Sequence, residues 1–174
     1  MVIPQFLPLV AQALSHLAPH LLMREILDQD RVFVDALYVD SREDLRALGV
    51  DPALLGPLLQ MQQRVQQAGF SANFPGAQHW LVQNGGKPIG RLVVDAGPRD
   101  VRVVDIAISS TARRMGAARA VLRALQTVAQ AQQLGISLAA SKTNPAAQAL
   151  YRGLGFSVAT HDEMFDQLVW KPAA

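Results

Sequence analysis

Residues 105–122 read DIAISSTARRMGAARAVL, and the fold turns on how this stretch is understood. Its start continues the run VRVVDIAIS (101–109), whose apolar alternation marks a half-buried strand. From Met115 the period becomes helical: Met115, Ala118, Leu122, Leu125, Val128 and Ala129 share one stripe, and Gly135 sits where a helix would end. Between strand and helix come Arg113 and Arg114, then Met115-Gly116-Ala117-Ala118, expected as a first helical turn with almost no side-chain bulk. Free N–H groups at a helix start carry about half a positive charge, and small residues let a phosphate approach closely enough to accept from them. The same residues suit an ordinary helix start whose glycine relieves packing, and this segment alone leaves both readings open.

Working outward, Trp80 and Val82 on one side and Ile89 and Leu92 on the other flank Gly85-Gly86, a strong hairpin signal. Gly97-Pro98-Arg99-Asp100 turns the chain into VRVVDIAIS, so three antiparallel strands are expected in a row. Downstream, ISLAAS (136–141) reads as a buried strand. Asn144-Pro145 caps and opens a helix through Ala147, Leu150 and Tyr151 that stops near Gly153 or Gly155. Residues 156–159 and 164–170 read as closing strands.

Upstream, the chain is mostly helical. Leu7, Val10, Leu14, Leu17 and Leu21 fit a short amphipathic helix, and LLMREIL (21–27) is strand-like. Asp28 or Asp30 caps a helix to about Val39, and Ser41 with Asp44 resembles another helix start. Asp51-Pro52 opens a helix carrying Leu54, Leu55, Leu58, Met61 and Val65. The order predicts an α/β (α+β) mixed sheet with helices on both faces. An appended apolar segment, 1–20, is expected to precede a single domain over 21–174.

The 174 residues are half apolar, 17% charged and free of cysteine. This excludes disorder, thiolate metal sites and a cysteine acyl-enzyme. Net charge is only +2, with thirteen Arg against three Lys. The first twenty residues lack a basic leader region and carry Pro4, Pro8 and Pro19, and no stretch approaches ~18 uninterrupted apolar residues. The expectation is a cytoplasmic protein with no membrane partner. His16 and His20 stand four apart but have no third ligand nearby in sequence, so no metal is expected. His79 precedes the hairpin and is singled out by location alone.

Two segments together resemble the GCN5-related N-acetyltransferase superfamily. Arg113-Arg114-Met115-Gly116-Ala117-Ala118 meets its acetyl-CoA motif directly after a strand, and Asn144, Ala147, Leu150, Tyr151, Leu154, Gly155 and Phe156 meet its second signature. The resemblance covers about residues 21–170 and implies a mixed sheet of about six to seven strands. It implies that the backbone of Ile106, Ala107 and Ile108 pairs with the pantetheine arm like an added strand. The N–H groups of Arg114, Met115, Gly116, Ala117 and Ala118, with Arg113 nearby, hold the pyrophosphate. Asn144 touches the cofactor arm and Tyr151 points at the sulfur. Ala118 replaces a common glycine, and Arg114-Met115 replaces a common Gly-Lys pair and moves the positive charge by one residue.

The implied activity is direct, metal-free transfer of acetyl from acetyl-CoA to a primary amine through a ternary complex. The acceptor is a small-molecule or peptide amine. Tyr151 is the candidate general acid for the leaving thiolate. Asp105, a carboxylate inside an apolar strand, is the candidate base. Counting around the 97–100 turn places Arg91 opposite or diagonal to Asp105, so a cross-strand ion pair is the competing role. Tyr38, Arg42 and Gln62 are on the acceptor side or have core or solvent roles. The N-terminal segment covers the sheet or early helices, or packs on a second subunit as a homodimer. The rival readings are a non-catalytic acyl-CoA-binding sensor and a nucleic-acid binder using Arg102, Arg113, Arg114, Arg119 and Arg123. CoA's own phosphates explain those arginines, so no nucleic acid is expected.

Overall fold

The computed structural model describes residues 5–49 and 51–174. Helix α1 (Phe6–Leu17) precedes β1 (Leu21–Glu25), and a 3₁₀ turn at Asp28–Asp30 leads into α2 (Arg31–Ser41), α3 (Glu43–Ala47) and α4 (Pro52–Asn73). Three strands follow, β2 (Gln78–Asn84), β3 (Lys87–Ala96) and β4 (Asp100–Ile108). Then come α5 (Ala117–Ala131), β5 (Gly135–Ser141), α6 (Pro145–Gly153), β6 (Ser157–His161) and β7 (Phe165–Trp170). The seven strands form one mixed sheet in the order β1-β2-β3-β4-β5-β7-β6.

Local chemistry explains the joints. Gly85 and Gly86 have φ of 54° and 79°, the paired left-handed conformation that closes a two-residue hairpin. The Asp51 carboxylate accepts from the Ala53 N–H at the start of α4, and Asn144 does the same for Ala147 at the start of α6. Asp30 does not cap α2. Its carboxylate turns back to accept two bonds from the Arg24 guanidinium (2.6 and 2.8 Å) and one from the Leu27 N–H (2.8 Å).

The core lies between the sheet and α1, α5 and α6, and Leu92, Val103, Leu122, Leu125, Ile136, Leu138 and Leu168 belong to it. Phe6, Leu7, Val10 and Leu14 of α1 are fully buried in that same core. Leu17, expected on the buried stripe, is 52% exposed. On the opposite face α2 packs over β3 and β4, with α4 beside it through Leu59 against Tyr38 and Leu45.

β4 is irregular where it matters. Val93 faces Asp105 across the ladder but Val94 faces Val103, so Val104 is an extra residue in β4. This bulge lets Val103 and Ile106 both pack into the core while Asp105 turns to the other face, towards Arg91.

Candidate active site

β4 and β5 pair in parallel only over four positions, Asp100–Val103 against Gly135–Leu138. Beyond them β5 continues with β7, and the edge of β4 from Asp105 to Ile108 looks into a cleft of about 890 Å³. The far wall is Ser141, Thr143 and the start of α6, including Asn144, Ala147 and Leu150. A groove of about 930 Å³ between α2 and α4 contains none of the motif residues, so the chemistry is assigned to the cleft.

At one end of the cleft sits the loop into α5. Arg114 and Gly116 both have positive φ, 63° and 81°. Curled main chain of this kind makes anion-binding concavities. Gly116 is the residue before the helix rather than part of its first turn, and α5 begins at Ala117. Met115 therefore lies outside the helix, 62% exposed. The helix starts later than its periodicity predicts, because Gly116 takes the left-handed conformation and periodicity carries no information on backbone handedness. Among the described residues, no atom beyond its own chain neighbours lies within 4 Å of the position a Gly116 side chain would take. Ala117, Ala118 and Arg119 complete this end.

Arg113 is already engaged. Its Nη1 donates to the Glu43 carboxylate (2.8 Å) and its Nε to the Ile108 carbonyl (3.1 Å). The Asp40 carboxylate accepts from both the N–H and the hydroxyl of Ser110 (2.6 and 2.7 Å). The end of α2 and the start of α3 are thus fastened to the loop after β4. Neither Glu43 nor Asp40 was anticipated, because each meets a partner 70 residues away.

On the other side of β4, Arg91 donates from Nη2 (2.6 Å) and Nε (3.1 Å) to the same Asp105 oxygen. The ion pair is diagonal, since Arg91 directly faces Ala107. Both members line the cleft. His79, on β2 opposite Val93, shares this face. Although His79 is exposed at its strand position, desolvation by its surroundings and then the charge of Arg91 hold its imidazole below the ordinary value, with Asp105 opposing. Above the pair, Arg42 Nη1 donates to the Tyr38 hydroxyl (2.9 Å) and to Gln62 Oε1 (2.7 Å), and its other nitrogens grip Asp44. Tyr38, Arg42 and Gln62 therefore form one cluster, which no spacing in the sequence announces. Gln66 also lines the cleft, and its buried Oε1 accepts no hydrogen bond among the described residues.

Tyr151 is 8% exposed and lies behind the α6 wall, edge to face with Phe156 at 5.8 Å. Burial, then the negative charge of Asp105, pushes its phenol up to about 12. The phenol is therefore protonated at neutral pH, although Tyr151 is not among the residues that line the cleft.

The family model for the acetyltransferase (GNAT) family matches residues 52–156, more than half of the chain. The chain belongs to this family. No curated protein sequence matches this acetyltransferase, but its fold is shared with solved structures. The PaiA N-acetyltransferase of Thermoplasma acidophilum, solved with coenzyme A, superposes with a TM-score of 0.65 at 12% identity, covering 87% of this chain and 98% of that one. An acetyltransferase of Thermus thermophilus gives 0.62 at 17%, covering 87% and 96%. The spermidine N-acetyltransferase of Vibrio cholerae, solved with coenzyme A and spermine, gives 0.61 at 18%, covering 88% and 96%. Among the described residues of the acetyltransferase, no helix is long and apolar enough to cross a membrane.

Proposed function

We propose that the protein moves an acetyl group from acetyl-CoA directly to a primary amine of a small molecule or peptide, both substrates being bound together. The observation that carries this reading is the open edge of β4, which ends at a helix start with left-handed Gly116 and clear space above it. Such an edge suits an extended amide-bearing arm, and such a helix start suits a pyrophosphate. The neighbours solved with coenzyme A support the same donor.

The backbone of Ile106, Ala107 and Ile108 would hold the arm, and the N–H groups from Arg114 to Ala118 the pyrophosphate, with Arg114 and Arg119 adding charge. Arg113 joins them by exchanging Glu43 for phosphate. Asn144 spends its Oδ1 on the Ala147 N–H, which leaves its amide N–H groups to face the cleft. Bound acetyl-CoA supplies a thioester as acyl donor. A main-chain N–H of the β4 edge stabilises the negative charge that develops on the acyl oxygen. Tyr151, held protonated, donates to the departing thiolate.

The acceptor amine must lose a proton, and freeing an amine of pKa about 10.4 at pH 7 costs roughly 4 to 5 kcal/mol. Asp105 lines the cleft, and Arg91 holds one of its two carboxylate oxygens, so we assign it to ordering the amine directly or through a water. Gln66 Oε1 offers the amine an acceptor. Spermidine, named for one neighbour, is a small primary amine of the proposed class. We also assign the protein to the cytoplasm.

The test is calorimetric titration with acetyl-CoA, repeated on Gly116→Val and Arg113→Ala, followed by a thiol-release assay on an amine panel with Tyr151→Phe. Micromolar binding lost in the first two variants, and turnover lost in the third with binding kept, is expected. Absence of binding by the wild type refutes the proposal. Binding with wild type and Tyr151→Phe equally inactive on the panel favours the non-catalytic sensor.

A further inference from the structure

Helix α4 presents an apolar stripe to solvent. Leu54, Met61 and Val65 are 64, 55 and 67% exposed, and Leu58 between them is partly exposed. With Ala68 and Ala72 they follow steps of four, three, four, three and four residues, the a/d repeat of a coiled-coil seam. The stripe is not the helix's contact with its own fold, which is made by Leu59 and Gln63, both buried. Of the 22 residues of α4, only Arg64 is charged. A solvated helix face normally carries charge, whereas apolar residues with methionine and depleted charge mark the centre of an interface.

We propose that α4 pairs antiparallel with α4 of a second copy of this chain about a two-fold axis. Placing Leu58 opposite Met61 of the partner subunit also places Leu54 opposite Val65 of the partner subunit. The two-fold then repeats both contacts, giving four apolar layers. A surface that matches itself in this way is what an isologous dimer requires. The charges agree, because the same register places Arg64 only four residues along the axis from Asp51 of the partner subunit. No two like charges meet along the seam.

A helix of this length is about 33 Å long and roughly 10 Å wide. Pairing therefore hides several hundred Å² on each copy, near the lower end of specific interfaces. An interface of that size suits a reversible dimer rather than an obligate one. The inner side of α4 carries Gln62, bonded to Arg42, and Gln66, which lines the cleft, so pairing braces that wall. The inference stands on α4 alone and is independent of the acyl-transfer reading.

Sedimentation of the full chain across and above the micromolar range tests it, with Met61→Glu as the variant and thermal melting as the check on folding. A concentration-dependent dimer is expected, with the dissociation constant raised at least ten-fold in the folded variant. The chain has no cysteine, so Leu58→Cys and Met61→Cys proteins can also be oxidised separately and mixed. Cross-links should form chiefly in the mixture. A wild type that stays monomeric overturns the proposal, as does a dimer that Met61→Glu leaves intact. Cross-links that form equally in the separate proteins also overturn it, because they indicate parallel pairing or random contact.

Discussion

Ionisation of Tyr151 can be read almost in isolation, because the chain has only two tyrosines. In a Tyr38→Phe background, phenolate absorbance during an alkaline titration reports Tyr151 alone. The structure puts the folded value at about 12 against an ordinary 10.0, chiefly through burial and secondarily through Asp105. Two units correspond to about 3 kcal/mol in favour of the neutral phenol. The folded value is raised, so this contribution is fully present below pH 10 and is lost as pH rises through 12. The protein should lose about that much stability across this window, while Tyr151→Phe stays flat there. Asp105→Asn should move the titration down, but by less than half of the displacement, because burial is the larger cause. An assay of kcat against pH should show no alkaline limb from this group below the same window. A phenol that titrates at its ordinary value in the folded protein would refute the reasoning and remove Tyr151 as a buried donor.

Two further outcomes follow from close contacts and charge. In Gly90→Ala the new Cβ would lie 2.5 Å from both the Ala107 carbonyl oxygen and Ile108 Cδ1, forcing β3 and β4 apart. A loss of about 1–3 kcal/mol is expected, visible as a melting point lowered by roughly 2–4 °C per kcal/mol. The bonds from Arg24 and then from the Leu27 N–H hold the Asp30 carboxyl down to about 2 from 3.8. Its contribution is present above pH 3.8 and lost as pH falls through 2. Acid unfolding followed by circular dichroism should therefore lose part of its steepness in that window when Asp30 is replaced by Asn.

The order of elements was legible because each signal was local. Gly85-Gly86, the 97–100 turn, Asp51-Pro52 and Asn144-Pro145 act over two to four residues, and each did in the structure what its chemistry required. The Arg91–Asp105 pair was within reach because one short turn fixes the register between its strands, although the bulge at Val104 decided which way Asp105 faces. Arg113–Glu43, Ser110–Asp40 and the joining of Tyr38, Arg42 and Gln62 were not legible. They depend on how α2, α3 and α4 lie over the sheet, and helix packing angles leave no mark at sequence spacing. The start of α5 was misplaced for a different reason. Met115 fits the apolar stripe, but backbone handedness at Gly116, not periodicity, sets the boundary.

The brief pairing of β4 with β5 bears on how such a protein diverges. A main-chain edge offers the same donors and acceptors whatever side chains it bears, so residues 106–108 can drift among all types that keep a strand, proline apart. On the proposed reading the helices over the acceptor side enjoy no such immunity, since the acceptor would be recognised by side chains such as Gln66 and Arg42. On that reading donor binding is written in backbone and acceptor choice in side chains. Such a division is compatible with a fold shared at only 12 to 18% identity.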